Sequence, residues 1–195
     1  MAVAPTVASG LHPEAYSGAQ RRVLAAALDL FAEHGVSGTS LQMIADAVGV
    51  TKASIYYQFK TKDEIVLAVA EADLTQLEDA VEAAEAETDP AAARDVLLVR
   101  LVDLAVEHRH MVGIIQNDPV MVRLLEDHQP FQLLMARLYR VLVGDDPGVD
   151  GRVPAAMLSA AISGAASHPL VSDLDDDALR ANLLGIARRF LHIPG

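Results

Sequence analysis

Between Thr39 and Ile65 the chain reads TSLQMIADAVGVTKASIYYQFKTKDEI, and this stretch sets the terms for everything around it. Thr39 and Ser40 are hydroxyl N-caps for a helix that carries Leu41, Ile44, Ala45 and Val48 on one face. Gly49 stops that helix, because a positive φ costs glycine little. Thr51 caps a second, short helix running to about Gln58, which turns Ile55 and Phe59 inward and leaves Lys52, Ser54 and Tyr57 outside. Two helices joined through a short glycine-containing turn form a helix-turn-helix, a unit whose second helix fits the DNA major groove. The three lysines of the chain, Lys52, Lys60 and Lys62, all fall in this window and mark it as the place where an anion sits.

The rest of the chain must supply a body for this unit. Hydrophobic residues make up 52% of the sequence but aromatics only 4%, and Ala, Leu and Val dominate. That composition favours helices over strands and predicts an all-α fold. With no cysteine, disulfides, thiolate metal sites and cysteine nucleophiles are excluded. The net charge of -12 speaks against nucleic acid only until it is divided. Residues 1–66 hold five basic and six acidic side chains, whereas residues 67–195 hold ten basic and twenty-one acidic. An acidic body disfavours non-specific DNA contact and lets a local basic face set orientation. The N-terminal segment lacks the basic start and apolar run of a signal peptide, and no stretch reaches the roughly 18 apolar residues of a spanning helix. The expectation is a soluble, cytoplasmic protein with no membrane partner.

Residues 1–18, with Pro5, Gly10, Pro13 and Gly18 and no period, are expected to form a disordered arm. From Gln20 to His34, Val23, Leu24, Ala27, Leu28 and Phe31 share one helical face, and Gly35 is a natural stop. The ordered run of AAALDLFAEHG, TSLQMIADAVGV and TKASIYYQFKTKDEI closely resembles the DNA-binding domain of the TetR family of transcriptional regulators. It departs from the common pattern at Gln58, where His is usual, and at Ala53, where Gly is frequent.

The resemblance implies a helix-turn-helix domain over residues 19–66 and a helical effector-binding and dimerisation domain over 67–195. It implies a homodimer, most simply a repressor, released from a palindromic double-stranded operator by a small-molecule effector. The expected DNA-binding residues are Thr39, Ser40, Thr51, Lys52, Ala53, Ser54, Tyr56, Tyr57, Gln58 and Lys62. The residue types agree with that role: Thr39, Tyr57 and Lys62 suit phosphates, and Lys52 and Ser54 suit base edges. Tyr56 fits either a DNA contact or a place in the core.

A long helix from Asp63 to about Thr88, ended by Asp89-Pro90, would join head to body. Further helices are expected over residues 91–107, 119–127, from Pro130 past Leu142, 153–167 and 175–192, with a loop over 145–151. Leu101, Leu104, His108, Met111, Ile115, Met121, Phe131 and Met135 are the expected effector contacts, an apolar set with adaptable methionines that points to a lipophilic effector. Ala156, Ala160, Ser163, Gly164 and Ser167 form a ridge of small residues, and Leu179, Leu183, Ile186 and Phe190 an apolar stripe, and together these are the expected dimer interface.

No cofactor, metal site or catalytic residue is expected. His108 and His110 lie two residues apart, a spacing that turns them to different helix faces, and neither HExxH, a phosphate-cradling loop nor a nucleophile elbow occurs. On sequence alone, a DNA-binding regulator without a ligand stays open, as does a helical enzyme or metal-binding protein.

Overall fold

The computed structural model describes residues 16–109, 118–146 and 148–191. Nine α-helices and one 3-10 turn run through them, with no strand among the described residues. In chain order these are α1 (Gly18–Gly38), α2 (Leu41–Val48), α3 (Lys52–Gln58), α4 (Lys62–Glu85), α5 (Pro90–Glu107), α6 (Pro119–Glu126), α7 (Gln129–Val143), α8 (Val149–Ala166) and α9 (Asp176–Phe190). The all-α expectation and the order of an N-terminal helix-turn-helix followed by a helical body both hold.

Local chemistry sets most helix ends. Ser17 caps α1 with a reciprocal Gln20 contact, and Ser40, Thr51 and Thr61 each accept a backbone N–H from three residues on, at Met43, Ser54 and Glu64. Gly35 interrupts α1 with φ 72°, and Gly49 ends α2 with φ 76°. Nothing crowds Gly49, so its backbone angle alone calls for glycine. At Gly35 a side chain would also meet the Asp118 carboxylate at 3.2 Å.

Three helix boundaries differ from expectation. Tyr16 and Ser17 belong to the folded head and not to a free arm: Ser17 caps α1, while Tyr16 packs its ring on Phe59 and donates its hydroxyl to Glu71. Residues 1–15 of the expected arm lie outside the described residues. Helix α4 stops at Glu85, because Asp89 serves as the cap of α5 and needs a short connection before it. Helix α8 starts at Val149 and takes Pro154 inside, which lacks only the N–H that would return to the first turn.

The expected division at residue 66 falls within α4, and the packing does not divide there either. One core joins Val23, Phe31, Ile44, Ile55 and Phe59 of the head to Ile65, Val66, Val69 and Leu74 of α4, and to Met121 and Leu125 of α6. Each fully buried side chain of this size contributes about 1.5–3 kcal/mol. A second core packs α5 against α8 and α9, and a third packs the far half of α4 against α5 and α7. Helices α4 and α6 therefore each belong partly to the head and partly to the body.

Candidate nucleic-acid interface and body cavity

Helix α3 is held from below and bare above. Ile55 is fully buried and Phe59 nearly so, which fixes the rotation of the helix. On the opposite side Lys52, Ala53, Tyr56 and Tyr57 face solvent, with Tyr57 93% exposed and Tyr56 48%. The Lys52 ammonium lies 5.9 Å from the Tyr56 ring centroid, close enough for the ring face to steady it. Thr51 accepts the Ser54 N–H at 3.2 Å and its hydroxyl meets the Ser54 hydroxyl at 2.9 Å, so both cap the helix from its exposed end. The result is a short rigid helix presenting one cation and two phenols.

Three expected DNA contacts have other work. Thr39 is 2% exposed, and its hydroxyl donates to the carbonyls of Leu30 and Gly35, binding the end of α1 to the start of α2. Lys62 donates its ammonium to the Val36 and Thr39 carbonyls at 2.8 and 3.1 Å, fastening the last carbonyls of α1 to the first turn of α4. Gln58 donates its amide to the Ser54 carbonyl at 3.3 Å, back along its own helix. These three are fasteners of the head. Ser40 is exposed and caps α2.

Head and body meet at Asp118. One carboxylate oxygen accepts the Val36 N–H at 2.7 Å, and the other accepts the Val120 and Met121 N–H groups at 2.9 and 3.2 Å, so a single side chain caps α6 and anchors the end of α1. Nearby, burial and the Glu71 carboxylate push the Tyr16 phenol above its ordinary value and keep it a donor.

A cavity of about 630 Å³ opens between α4, α5, α6, α7 and α8. Of the expected effector contacts it brings together Leu101, Leu104, His108, Phe131 and Met135. Met121 is not among its walls: it is 0% exposed and packs in the core shared with the head. Met111, Ile115 and His110 lie outside the described residues. The cavity also holds residues the sequence did not single out, Asp73, Glu126 and Tyr139 above all. The Asp73 carboxylate meets His108 Nδ1 at 3.1 Å through one oxygen, and its other oxygen is buried with no hydrogen-bond partner. Burial raises the Asp73 pKa, and the His108 imidazole pulls it back down.

The tetR-family model of bacterial regulatory proteins matches residues 23–69, the segment from the buried face of α1 to the first turns of α4. Over that segment the chain is similar to the DNA-binding domain of the tetR family. RutR of Escherichia coli K12, an HTH-type transcriptional regulator, is 38% identical over 61 residues, which are 31% of this chain and 29% of RutR. The chain thus spans under a third of that relative's length. Beyond the head the likeness to solved structures is one of fold. A TetR-like transcriptional regulator from Rhodococcus sp. RHA1 superposes with a TM-score of 0.66 at 21% identity, covering 89% of this chain and 96% of that one. The regulator FadR from Bacillus subtilis, in complex with stearoyl-CoA, does so at 0.61 and 18%, covering 86% and 96%.

The body residues expected at a dimer interface take different places. Leu179 and Leu183, expected at a dimer interface, are buried against α5 and α8 within their own chain, because they sit on the inner face of α9. Ala160 and Ser163 border the cavity, along with Ser159 and Ile162. Ala156, Ile186 and Phe190 are exposed, and Gly164 and Ser167 half-buried. The exposed apolar set on α8 and α9 also includes Val149, Val153 and Met157. Among the described residues no group of three or more His, Asp or Glu could hold a metal, and no helix is long and apolar enough to cross a membrane.

Proposed function

We propose that this chain is a sequence-specific DNA-binding transcriptional regulator of the TetR family and not an enzyme. It acts in the cytoplasm as a homodimer and represses from a palindromic operator until a small lipophilic effector enters the body cavity. The observation that carries the reading is α3, whose buried Ile55 and Phe59 turn Lys52, Tyr56 and Tyr57 outward within the segment matched by the family. In a dimer two such helices enter successive major grooves about 34–36 Å apart, which calls for a two-fold symmetric site. Apolar Val153, Met157, Ile186 and Phe190, exposed on α8 and α9, supply a face that a second copy would cover. Release by an effector is supported by the cavity, whose wall residues Val122 and Leu125 lie on the same short helix as Met121 of the head core. FadR, similar in fold, holds stearoyl-CoA.

The test is a gel shift with the promoter next to the protein's own gene, repeated across a salt series. Expected is a dimer-sized complex whose affinity falls steeply with salt, because phosphate contacts release counterions. Absence of a complex, or binding indifferent to salt, refutes the reading.

A further inference from the structure

The cavity walls carry an asymmetry of charge. Apart from His108, the described wall residues include no cation, while Asp73 and Glu126 both bring carboxylates. His108 satisfies only one Asp73 oxygen, at 3.1 Å, and the other is buried without a partner. A buried acceptor left unpaired is costly, and a guest able to donate a hydrogen bond there would recover that cost. Of the remaining polar groups, the Ser163 hydroxyl already donates to the Ser159 carbonyl, and Tyr139 also lines the wall. Apart from the Ser159 hydroxyl, everything else on the wall is aliphatic, Met135 or Phe131.

Resting on the reading of this cavity as the effector site, we propose that the effector is a lipophilic amine, bound as its ammonium with an N–H donated to the free oxygen of Asp73 and its hydrocarbon part against Leu74, Leu101, Phe131 and Met135. The charge of the guest matches Asp73 and Glu126, and the volume of about 630 Å³ suits a molecule of ordinary drug-like size. A carboxylate or a phosphate-bearing thioester would bring negative charge to this wall with only an imidazole to receive it. The cavity thus differs in preference from what the stearoyl-CoA bound by FadR would lead one to expect. Burial, which raises the Asp73 pKa, is the same force that an ammonium alongside would oppose.

The experiment uses the full chain and four probes that share one alkyl chain: decylamine, decan-1-ol, decanoate and decanoyl-CoA, each titrated calorimetrically below its micelle concentration. Decylamine is expected to bind at least tenfold more tightly than decanoate and decanoyl-CoA. Asp73→Asn should weaken decylamine at least tenfold and leave decan-1-ol within threefold. Tighter binding of decanoate or decanoyl-CoA, or no binding of any probe at millimolar concentration, overturns the proposal. So does amine affinity unchanged in Asp73→Asn. Should that variant fail to fold, the probe ranking on the natural chain decides alone. Operator binding without any probe is measured in parallel. Its loss refutes the regulator reading and leaves the ranking standing, whereas a reversed ranking with intact DNA binding refutes only the amine.

Discussion

Replacing Asp118 by Ala removes three hydrogen bonds that link α1 to α6. The Val120 and Met121 N–H groups lose their cap, worth about 0.5–2 kcal/mol for a helix N-terminus. The Val36 N–H, on a fully buried residue, loses a 2.7 Å charge-assisted partner, and a buried orphan donor costs about 1–3 kcal/mol. A loss of about 2–4 kcal/mol is expected, which for a chain of this size lowers Tm by roughly 5–12 °C. Asp118→Asn separates the two parts, since Asn caps helices well but offers one acceptor where the carboxylate has two. It should keep the α6 cap and expose the Val36 contact, giving about half the loss. Circular dichroism melts supply the stability change, and amide hydrogen exchange at Val36 and Met121 locates it. If both variants melt within about 2 °C of the natural chain and the Val36 amide stays equally protected, Asp118 does not join head to body and the reasoning fails.

Lys62→Ala should lower stability by about 1–2 kcal/mol, through the lost bonds to the Val36 and Thr39 carbonyls, and leave the salt dependence of DNA binding unchanged; a slope reduced by one with no change in Tm would return Lys62 to the phosphates. Tyr57→Ala, on a side chain exposed over nearly its whole surface, should shift stability by no more than about 0.5 kcal/mol yet weaken operator binding about tenfold, which paired melts and gel shifts decide. Lys52→Ala should relax base preference at one operator position by about 1–3 kcal/mol, read by binding to a set of singly substituted operators. The Arg188 guanidinium bonds both Asp95 oxygens, at 2.7 and 2.8 Å, and holds that carboxyl below its ordinary pKa. Its contribution is therefore complete above the unfolded carboxylate value and lost as pH falls through the folded one. Asp95→Asn should melt earlier at neutral pH, by no more than about 1 kcal/mol for so open a pair, and the two melting curves should converge on acidification, whereas a constant offset would rule the linkage out.

What could be read ahead of the structure was local. Ser40, Gly49 and Thr51 act on backbone groups at most four residues away, so a stretch of sequence contains the whole interaction. The exposed side of α3 followed from Ile55 and Phe59 in the same way. The intramolecular bonds of Thr39 and Lys62 were not legible, because their residue types at a helix start suit an anion equally well and these partners come from α1 and its end, 9 and 26 residues away for Leu30 and Val36. Leu179 and Leu183 lie on an apolar stripe that a partner chain or the chain's own α5 could cover, and periodicity does not tell the two apart. Asp73 sits among apolar residues of α4, and only the fold shows that His108 stands opposite it.

Met121 carries the most consequence among these misread positions. As an adaptable apolar residue it fitted a cavity wall, yet its neighbours one and four positions on, Val122 and Leu125, border the cavity while Met121 fills the core beneath α1. Helix α6 is eight residues long, and its first backbone N–H groups share the Asp118 carboxylate with Val36 of the head. An element so short, with Met121 and Leu125 buried against the head, has little freedom to move on its cavity side alone. A guest that displaced Val122 or Leu125 would have to shift Met121 or stretch the Asp118 bonds. On the proposed effector reading, two elements connect the cavity to the head, the length of α4 and this one turn at Asp118. A variant such as Asp118→Asn, which cuts the second and spares the first, shows how a response is divided between them.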